Sequence, residues 1–304
     1  MVRVAIVIVT YYSAREIGGC LDALRALSDV EILVVDNASA DGTGVEVARR
    51  GMRLIANPDN AGFAAAVNQG VRATTAPLVL LLNPDAHLVS GIDALVACFD
   101  SPKTGAAGGL LLGADGKPQR GFMARSLPTP AALILEVLGI NRLLPGNPVN
   151  WHYRCLDMDP MATGLVDQPA GAFLMFSRSA WQTVGGFDER FWPVWFEDVD
   201  FCARLKLAGF STYYTSGSVA KHAGSHSIGT LSLEKRERYW YGSLLKYAAK
   251  HYRSTAFRAI CTAVAIGAAL RAVIGFPRGG PRALAAYGGV IGLALNWFFG
   301  FGEV

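Results

Sequence analysis

The chain has 304 residues, and 52% of them are hydrophobic against 17% charged. This composition excludes a disordered or fibrous protein and requires a large buried core. The net charge of +4 is unevenly distributed, because residues 1–220 carry 17 basic and 21 acidic side chains whereas residues 221–304 carry 11 and 3.

The first part of the chain alternates predicted strands and helices, which is typical of a parallel α/β sheet. The apolar run at residues 4–9 predicts a buried first strand and is too short for an export signal. The other predicted elements are helices over residues 14–27, 45–50, 62–73 and 131–138 and from Ser179, and strands over residues 31–35, 52–55, 78–82 and 172–176.

Polar residues stand directly after several predicted strands. In a doubly wound sheet the ligand binds outside the carboxyl ends of the strands, so we expect these residues on one edge. Asp36 precedes a turn with Asn37 and Ser39, and its carboxylate suits a ribose or a pyrimidine base. In the next such segment, Gly62 allows close approach of the backbone, and Asn68 lies two helical turns further on.

The most hydrophobic predicted strand ends at Asn83-Pro84-Asp85. A single carboxylate in this place suits Mg²⁺ or Mn²⁺, which keeps water ligands and bridges the oxygens of a diphosphate. Judged from the residues alone, an ordinary turn is the alternative here, as an Asx-turn is for the Asp36 segment.

The most polar segment of the chain is residues 184–204. It places Glu197, Asp198 and Asp200 within four residues, among aromatic side chains of the kind on which sugar rings stack. Such carboxylates repel one another unless a cation, an arginine or a catalytic task compensates them. Arg204 lies four residues after Asp200 and is expected to pair with it on a helix, which leaves Asp198 as the free base.

With these motifs in this order, the chain resembles glycosyltransferase family 2, the inverting GT-A class, and particularly its bacterial rhamnosyltransferase-like branch. The resemblance extends from residue 4 to about residue 227. It implies a GT-A (Rossmann-like), mostly parallel sheet flanked by helices, with Asp36 contacting the nucleotide and Asp198 acting as the catalytic base. It also implies that Asp85 ends the metal-binding D-x-D motif, whose first aspartate is replaced here by Asn83.

The resemblance further implies a divalent metal, Mg²⁺ or Mn²⁺, held by Asp85 and His222. His222 matches a histidine that completes the metal site in relatives, and an imidazole beside a carboxylate favours Mn²⁺ somewhat. Judged from the residues alone, a histidine in a turn is more often merely hydrogen-bonded. The nearby His226 is easily confused with His222.

The candidate site residues fall into two groups. Nucleotide and donor contacts are expected from Thr10, Tyr11, Asp36, Asn37, Ser39, Asn60, Gly62, Asn68, Asn83 and Asp85. The acceptor side is expected to be lined by Phe187, Asp188, Trp195 and Glu197. Arg120 and Arg125 are alternatives for phosphate contact, but we expect both at the surface.

The resemblance implies transfer of one sugar, with dTDP-rhamnose as the favoured donor and UDP-galactofuranose or a UDP-hexose as alternatives. The acceptor is expected to be a saccharide or a lipid-linked saccharide in cell-surface polysaccharide biosynthesis. The Gln-x-x-Arg-Trp signature of processive synthases is absent, which favours single transfer.

Two other classes of protein were weighed against this one. A nicotinamide-dependent enzyme is disfavoured, because no G-x-G-x-x-G follows the first strand. A non-catalytic, transferase-like membrane scaffold is the other alternative. The presence of Asp85, Asp198 and His222 counts against it.

The catalytic domain is expected at residues 1–232 and a helical, basic and apolar extension at residues 233–304. Residues 283–302 are a twenty-residue stretch without a charge, long enough to span a bilayer, but they include five glycines and an asparagine. The apolar segment of residues 259–270, between Arg258 and Arg271, has only twelve residues, which are too few to cross a bilayer. We expect this extension to attach to the membrane either in its plane or as a re-entrant segment. Two alternatives stay open: one helix that spans the membrane, or helices that belong to the core or to an interface between copies.

The basic and aromatic residues of this extension favour an anionic membrane surface over nucleic acid, since no nucleic-acid-binding motif accompanies them. A solvated helical face is the alternative. Five widely spaced cysteines without a C-x-x-C motif fit a reducing compartment. We therefore expect a cytoplasmic protein attached peripherally to the inner face of the cytoplasmic membrane; a homo-oligomer stays open.

Overall fold

The computed structural model describes residues 2–224 and 231–301, without the side chain of Arg278. The chain divides into two compact units, each assembled from separate stretches of sequence. The first unit comprises Met1–Leu127, Arg154–Glu189 and Glu197–Gly229, and the second comprises Pro128–Tyr153, Arg190–Phe196 and Thr230–Val304. The expected division after residue 232 differs from this arrangement, because two earlier segments belong with the C-terminal helices.

A sheet that has nine strands over the described residues forms the centre of the first unit. The strands of this unit are β1 (Val4–Thr10), β2 (Val30–Asn37), β3 (Arg53–Asn57), β4 (Leu78–Leu82), β5 (Ala86–Leu88), β6 (Thr104–Leu112), β7 (Ala124–Arg125), β8 (Gly164–Leu165), β9 (Gln168–Pro169), β10 (Phe173–Ser177) and β11 (Ser211–His222). The order in the sheet is β3-β2-β1-β4-β10-β6-β11-β5, with β8 on β11, while β7 and β9 pair separately. The first four strands in this order are parallel, and β10 is antiparallel to both of its neighbours.

Helices cover both faces of this sheet. Alternate residues of β1 point to opposite faces and both sets are buried, Ile6 and Ile8 on one side and Ala5 and Val7 on the other. Burial on both faces explains why this strand is a continuous apolar run in the sequence. The helices of the first unit are α1 (Ile17–Leu24), α2 (Thr43–Arg49), α3 (Phe63–Arg72), α4 (Asp93–Ala97), α8 (Arg178–Thr183) and α9 (Glu197–Leu207).

The sequence pattern predicts neither β6 nor β11. Strand β6 contains glycines, which weaken any strand signal. A Cβ on Gly108 would lie 2.4 Å from the Pro169 Cβ, and one on Gly109 would lie 2.2 Å from a ring carbon of Phe173. These glycines are therefore required by close packing in the folded sheet, which a pattern of side-chain polarity does not report.

The second unit is helical. Its helices are α5 (Pro130–Val137), α6 (Ile140–Leu143), α7 (Pro148–Tyr153), α10 (Leu233–His251), α11 (Ser254–Gly279) and α12 (Pro281–Phe299). Helix α5 is capped at its N-terminus by Thr129, whose hydroxyl accepts a hydrogen bond from the Ala132 N–H at 3.2 Å. Helix α10 carries the segment 190–196, since the Ser243 hydroxyl donates to the Val194 carbonyl at 3.0 Å and the Lys246 ammonium to the Arg190 carbonyl at 2.7 Å.

Helix α11 corrects the expectation for residues 259–270. It continues through Arg258 and Arg271, and over the described residues Ser254–Pro277 is the one segment long and apolar enough to cross a membrane by length and composition. Arg271 does not interrupt it, because its guanidinium donates to the carbonyl oxygens of Val137 and Gly267 within the second unit. The uncharged stretch at 283–302 forms α12 up to Phe299, and Gly302 lies outside the described residues.

Candidate active site

The edge of the sheet where β1 to β4 end gathers most of the predicted donor residues. Thr10 at the end of β1 pairs with Asp36 in β2, and Asn37 pairs with Asn57 at the end of β3. After β4, the Asn83 N–H donates to the Ala172 carbonyl at 3.0 Å. Since β10 is antiparallel to β4, its first residues lie at the same edge.

The carboxylate of Asp36 is held in one orientation by its neighbours. The hydroxyls of Thr10 and Ser39 both donate to its Oδ1 at 2.6 Å, and the Ser39 N–H donates to Oδ2 at 2.9 Å. The residue is only 4% exposed. The structure thus brings three predicted donor residues into one hydrogen-bonded group.

Asn37 links the second and third strands to the start of α3. Its amide oxygen accepts from Asn57 Nδ2 at 2.9 Å, and its Nδ2 donates to the Gly62 carbonyl at 3.2 Å. The Gly62 N–H in turn donates to Asn60 Oδ1 at 2.9 Å. Gly62 has a φ of 89°, which a glycine adopts without strain. Tyr11 directly follows the last residue of β1 in the sequence and is partly buried.

Asn68 and Phe187 are hydrogen-bonded to each other in the first unit. Asn68 is buried, its Oδ1 accepts from the Phe187 N–H at 2.9 Å and from Trp181 Nε1 at 3.1 Å, and its Nδ2 donates to the Phe187 carbonyl at 2.8 Å. The Phe187 ring is 2% exposed and stacks on Phe201 at 4.3 Å. These contacts make Asn68 a support for the loop before residue 190 and make Phe187 a core residue rather than a wall for the acceptor. A direct donor contact by Asn68 stays a prediction.

Asp198 lies in the first turn of α9 and is held by three donors. Its Oδ2 accepts from the Gly171 N–H and from Gln168 Nε2, both at 3.0 Å, and its Oδ1 accepts from the Val199 N–H at 2.8 Å. Gly171 directly precedes Ala172, which is bonded to Asn83, so Asp198 shares the edge described above. The residue as a whole is partly exposed.

Burial raises the pKa of Asp198, although the N–H groups of Gly171 and Val199 and the charge of Arg125 act in the opposite direction. The neighbouring Glu197 is 5% exposed, and its Oε2 is buried without a hydrogen-bond partner among the described residues. Burial, and after it the charge of Asp198, raises the pKa of Glu197 well above its ordinary value. The two adjacent carboxyls therefore differ in their hydrogen bonding.

The predicted ion pair between Asp200 and Arg204 is confirmed, with Arg204 Nε 2.7 Å from Asp200 Oδ2.

Of the residues predicted for the acceptor side, Asp188 is partly buried in the first unit. Trp195 belongs to the second unit, where it and Phe196 have φ values of 80° and 67°. Two successive residues with a left-handed backbone conformation and bulky side chains cost conformational energy. Such strained residues are often found beside functional sites.

Asp85 and His222 lie at neighbouring positions because His222, at the end of β11, pairs with Ala86 in β5. Asp85 Oδ1 is 3.5 Å from His222 Nε2, and both side chains are nearly buried. Burial raises the pKa of Asp85, but the hydrogen bond and charge of His222 outweigh it and the pKa is lowered. His226 lies outside the described residues.

The pair of Asp85 and His222 fits a divalent metal that receives its other ligands from substrate and water. A carboxylate and an imidazole nitrogen face each other in a nearly buried place, and this donor set suits Mn²⁺. No cluster of three or more His, Cys, Asp or Glu side chains is present in the part of the chain that the structure describes. Asn83, two residues before Asp85 in the sequence, is partly buried.

Several residues at this edge carry no signal in the sequence. Gln119 bonds to His222, Phe122 stacks on the His222 ring at 5.4 Å, and Gln168 bonds to Asp198. Arg120 is exposed, whereas Arg125 is partly buried. The β7–β9 pair, which matches Arg125 with Gln168, explains its position.

Comparison with known proteins gives consistent results. Residues 5–156 match the family described as Glycosyl transferase family 2, and residues 149–300 match Glycosyl transferase family group 2. The N-acetylglucosaminyl-diphospho-decaprenol L-rhamnosyltransferase of Mycobacterium tuberculosis (strain ATCC 25618 / H37Rv) is 32% identical over 241 residues, which cover 74% of this chain and 77% of that protein. Rhamnosyltransferase WbbL of Escherichia coli (strain K12) is 26% identical over 190 residues, which cover 61% and 67%.

Solved structures share the fold. The mannosyltransferase PcManGT from Pyrobaculum calidifontis, in complex with GDP-Man and Mn²⁺, has a TM-score of 0.55 at 19% identity and covers 98% of this chain and 83% of that one. S. aureus TarS 1–349 in complex with UDP-GlcNAc has a TM-score of 0.56 at 14% identity and covers 97% and 81%. At these identities the likeness shows the fold alone, and it confirms the expected GT-A-type sheet with flanking and C-terminal helices. The family matches and the identity to the mycobacterial rhamnosyltransferase lead to one conclusion: the chain belongs to glycosyltransferase family 2.

Proposed function

We propose that this protein transfers a single rhamnose from dTDP-rhamnose to a saccharide or lipid-linked acceptor, with inversion at the anomeric carbon, in cell-surface polysaccharide biosynthesis. The observation that carries the proposal is Asp198, a carboxylate fixed by three donors at the edge where the predicted donor residues gather. Two relatives named as rhamnosyltransferases, one of them for a decaprenol diphosphate acceptor, support the choice of sugar and acceptor.

Asp198 acts as the general base in this proposal. Its Oδ oxygens are fixed, so the side chain receives the proton of the acceptor hydroxyl without reorienting. Burial raises its pKa, which strengthens the ionised carboxylate as a proton acceptor. Attack from the side opposite the leaving nucleoside diphosphate inverts the anomeric centre.

The other residues of this edge bind and orient the donor. Asp36, held by Thr10 and Ser39, accepts hydrogen bonds from the base or the ribose. Asp85 and His222 are the residues that would hold Mn²⁺ or Mg²⁺. A divalent metal, as in the Mn²⁺ complex of the mannosyltransferase, supplies neutralisation of charge on the departing diphosphate when bound.

The second unit carries the proposed membrane attachment on the cytoplasmic face. Helices α11 and α12 expose a set of large apolar side chains, each between 46% and 71% exposed: Ile266, Leu270, Val273, Ile274, Phe276, Leu284, Leu295 and Phe299. Exposed arginines stand near the helix ends at Arg253, Arg258 and Arg282. Helix α11 is buried along the opposite stripe, which includes Ile260 and Val264. A one-sided apolar surface with basic flanks favours attachment in the plane of an anionic membrane over a span.

The purified full-length chain tests the proposal in a thermal-shift panel of dTDP, UDP and GDP, each with and without Mn²⁺. A ligand that binds only the folded state raises the melting temperature. We expect the largest shift with dTDP and Mn²⁺, its loss in Asp36→Ala, and release of dTDP from dTDP-rhamnose when a polyprenyl-diphosphate-linked saccharide is added. A preference for UDP would replace the donor with a UDP-sugar, and no response to any nucleotide would favour a non-catalytic scaffold.

A further inference from the structure

Gln119 makes two hydrogen bonds to the same histidine. Its Nε2 lies 3.0 Å from the main-chain carbonyl oxygen of His222, and its Oε1 lies 3.1 Å from His222 Nδ1. Gln119 is itself fixed at the end of a short hairpin, because its N–H donates to the Leu111 carbonyl at 2.9 Å and Pro118 bridges to Leu112. The two contacts reach the ring and the backbone of His222 at once.

These two bonds determine which ring nitrogen of His222 carries the proton. A main-chain carbonyl only accepts hydrogen bonds, so the Gln119 amide nitrogen must face it. The amide oxygen is then the atom beside Nδ1, and because this oxygen also only accepts, Nδ1 must be the donor. In the neutral imidazole the other nitrogen, Nε2, therefore holds a lone pair.

That lone pair points to another acceptor. Nε2 lies 3.5 Å from Asp85 Oδ1, and both side chains are nearly buried. The ring of Phe122 lies parallel to the imidazole, with 5.4 Å between the centroids and 4° between the planes, and limits its tilt. Two acceptors at this distance require a positive charge between them: either a proton on Nε2, which gives the hydrogen bond to Asp85 described above, or a divalent cation in its place.

We propose that Gln119 is a positioning residue for the metal. It holds His222 in the tautomer with hydrogen on Nδ1, so that Nε2 is directed to the same place as Asp85 Oδ1 before any metal binds. The inference rests on the proposed metal-dependent transfer but concerns a residue outside the ligand set. Partners of this kind around metal-binding histidines commonly change metal affinity by about 10-fold to 100-fold when removed.

The first measurement is the ¹⁵N chemical shifts of the His222 ring in the metal-free full-length chain. His222→Asn identifies the signals among those of the five histidines. In the wild type we expect hydrogen on Nδ1. In Gln119→Met, which keeps the length of the side chain without its amide, we expect hydrogen to move to Nε2, where Asp85 accepts it.

The second measurement is the affinity for Mn²⁺ alone, from the electron paramagnetic resonance signal of the free ion. We expect Gln119→Met to bind Mn²⁺ about 10-fold more weakly or worse. Gln119→Glu, whose carboxylate still accepts from Nδ1 but cannot donate to the His222 carbonyl, should keep hydrogen on Nδ1 and should lose less Mn²⁺ affinity than Gln119→Met. The control is Gln182→Met, an exposed position on α8, which should change neither readout.

Identical ¹⁵N shifts of His222 in the wild type and in Gln119→Met would overturn the proposal. So would equal Mn²⁺ affinity of these two proteins. If the wild type binds no Mn²⁺, the metal part of the proposed function fails, while the tautomer measurement still decides the role of Gln119. If Mn²⁺ binds as expected but no sugar is transferred, the proposed function fails and this inference stands.

Discussion

Glu197 and Asp198 are neighbours in the chain with different surroundings. Asp198 is partly exposed and accepts three hydrogen bonds, whereas Glu197 is 5% exposed and its Oε2 has no partner within the described residues. The pKa of each carboxyl is raised, by burial in both cases and in Glu197 also by the charge of Asp198. The raised pKa values alone therefore do not distinguish the two carboxyls, and the one proposed as the base is Asp198, which is hydrogen-bonded at the sheet edge.

Asp198→Asn should abolish transfer while donor binding is kept. The amide keeps the shape of the side chain but cannot accept the proton of the acceptor, and general bases contribute roughly 10²-fold to 10⁴-fold to rates. The measurement is the rate of dTDP release beside the thermal shift with dTDP and Mn²⁺. A variant that transfers sugar at the rate of the wild type would contradict the role given to Asp198.

Glu197→Gln should flatten the dependence of stability on pH. Because the pKa of Glu197 is raised in the folded state, its contribution to stability is fully present below the unfolded pKa of about 4 and is lost as the pH rises through the folded value. The variant lacks this titration. Urea unfolding at several pH values should therefore show a smaller fall in unfolding free energy with rising pH than in the wild type.

The control for this experiment is Glu234→Gln, which changes an exposed carboxyl at the start of α10. It should leave the pH dependence as it is in the wild type. If Glu197→Gln and the wild type lose stability in parallel as the pH rises, Glu197 does not hold its proton in the folded chain.

The residues that sequence reasoning placed well are those whose position depends on strand ends. Asp36 and Thr10 meet because parallel strands end together. Asp85 meets His222 through the pairing of β5 with β11, which the sequence pattern does not predict, so that this pair is expected from the family resemblance alone. Asn68 was assigned to the donor from helical phase alone. Phase does not report that a loop 119 residues further along the chain covers this face.

At the scale of elements, the contact between α5 and α11 depends on a glycine and an arginine. A Cβ on Gly267 would lie 2.1 Å from the Val137 carbonyl oxygen. The same carbonyl, at the end of α5, accepts a hydrogen bond from Arg271. A cation at a helix C-terminus is favourable, and the absence of a side chain at 267 lets the two helices approach closely enough for it.

Gly267→Ala should destabilise the protein by about 1–3 kcal/mol, because the added methyl group meets backbone that cannot rotate away. The matched control is Gly288→Ala in α12, where a Cβ meets nothing within 4 Å. There the better helix propensity of alanine should be neutral or stabilise by up to about 1 kcal/mol. Unfolding by urea measures both, and equal stability of the two variants would refute the close approach.

The exposed apolar face of α11 is the element that should bind lipid. Val273→Asp together with Ile274→Asp places charges at side chains that are 71% and 69% exposed, so folding should be unaffected. We expect this double variant to lose binding to phosphatidylglycerol vesicles in flotation. The control is Leu207→Asp, an 81% exposed position in the first unit.

Continued flotation of the double variant would exclude this face as the attachment surface. A change from oligomer to monomer, without a change in lipid binding, would assign the face to contacts between copies. The sequence predicts attachment through the extension at residues 233–304 without saying which of its helices exposes an apolar face. Hydropathy along the chain does not tell which apolar side chains the neighbouring helices cover.

At the scale of the whole molecule, the second unit is assembled from three separate stretches of chain. Leu133 and Val137 of α5 are fully buried there, and the Tyr252 hydroxyl bonds to the Pro128 carbonyl. A chain that stops after residue 232 keeps α5 but lacks the helices against which it packs. We expect such a chain to aggregate and to bind a hydrophobic dye, as measured by gel filtration and fluorescence. A monodisperse product with cooperative melting would contradict this.

The three-part composition of the second unit also sets an order of events during synthesis. Residues 128–153 are made long before α10 to α12, which complete their surroundings. Domains generally fold from the N-terminus as they emerge, but this unit has to wait for almost the entire chain to be translated. Until then, the apolar side of α5 is available to chaperones, and the nascent protein passes through a stage at which its sheet can form and its helical unit cannot.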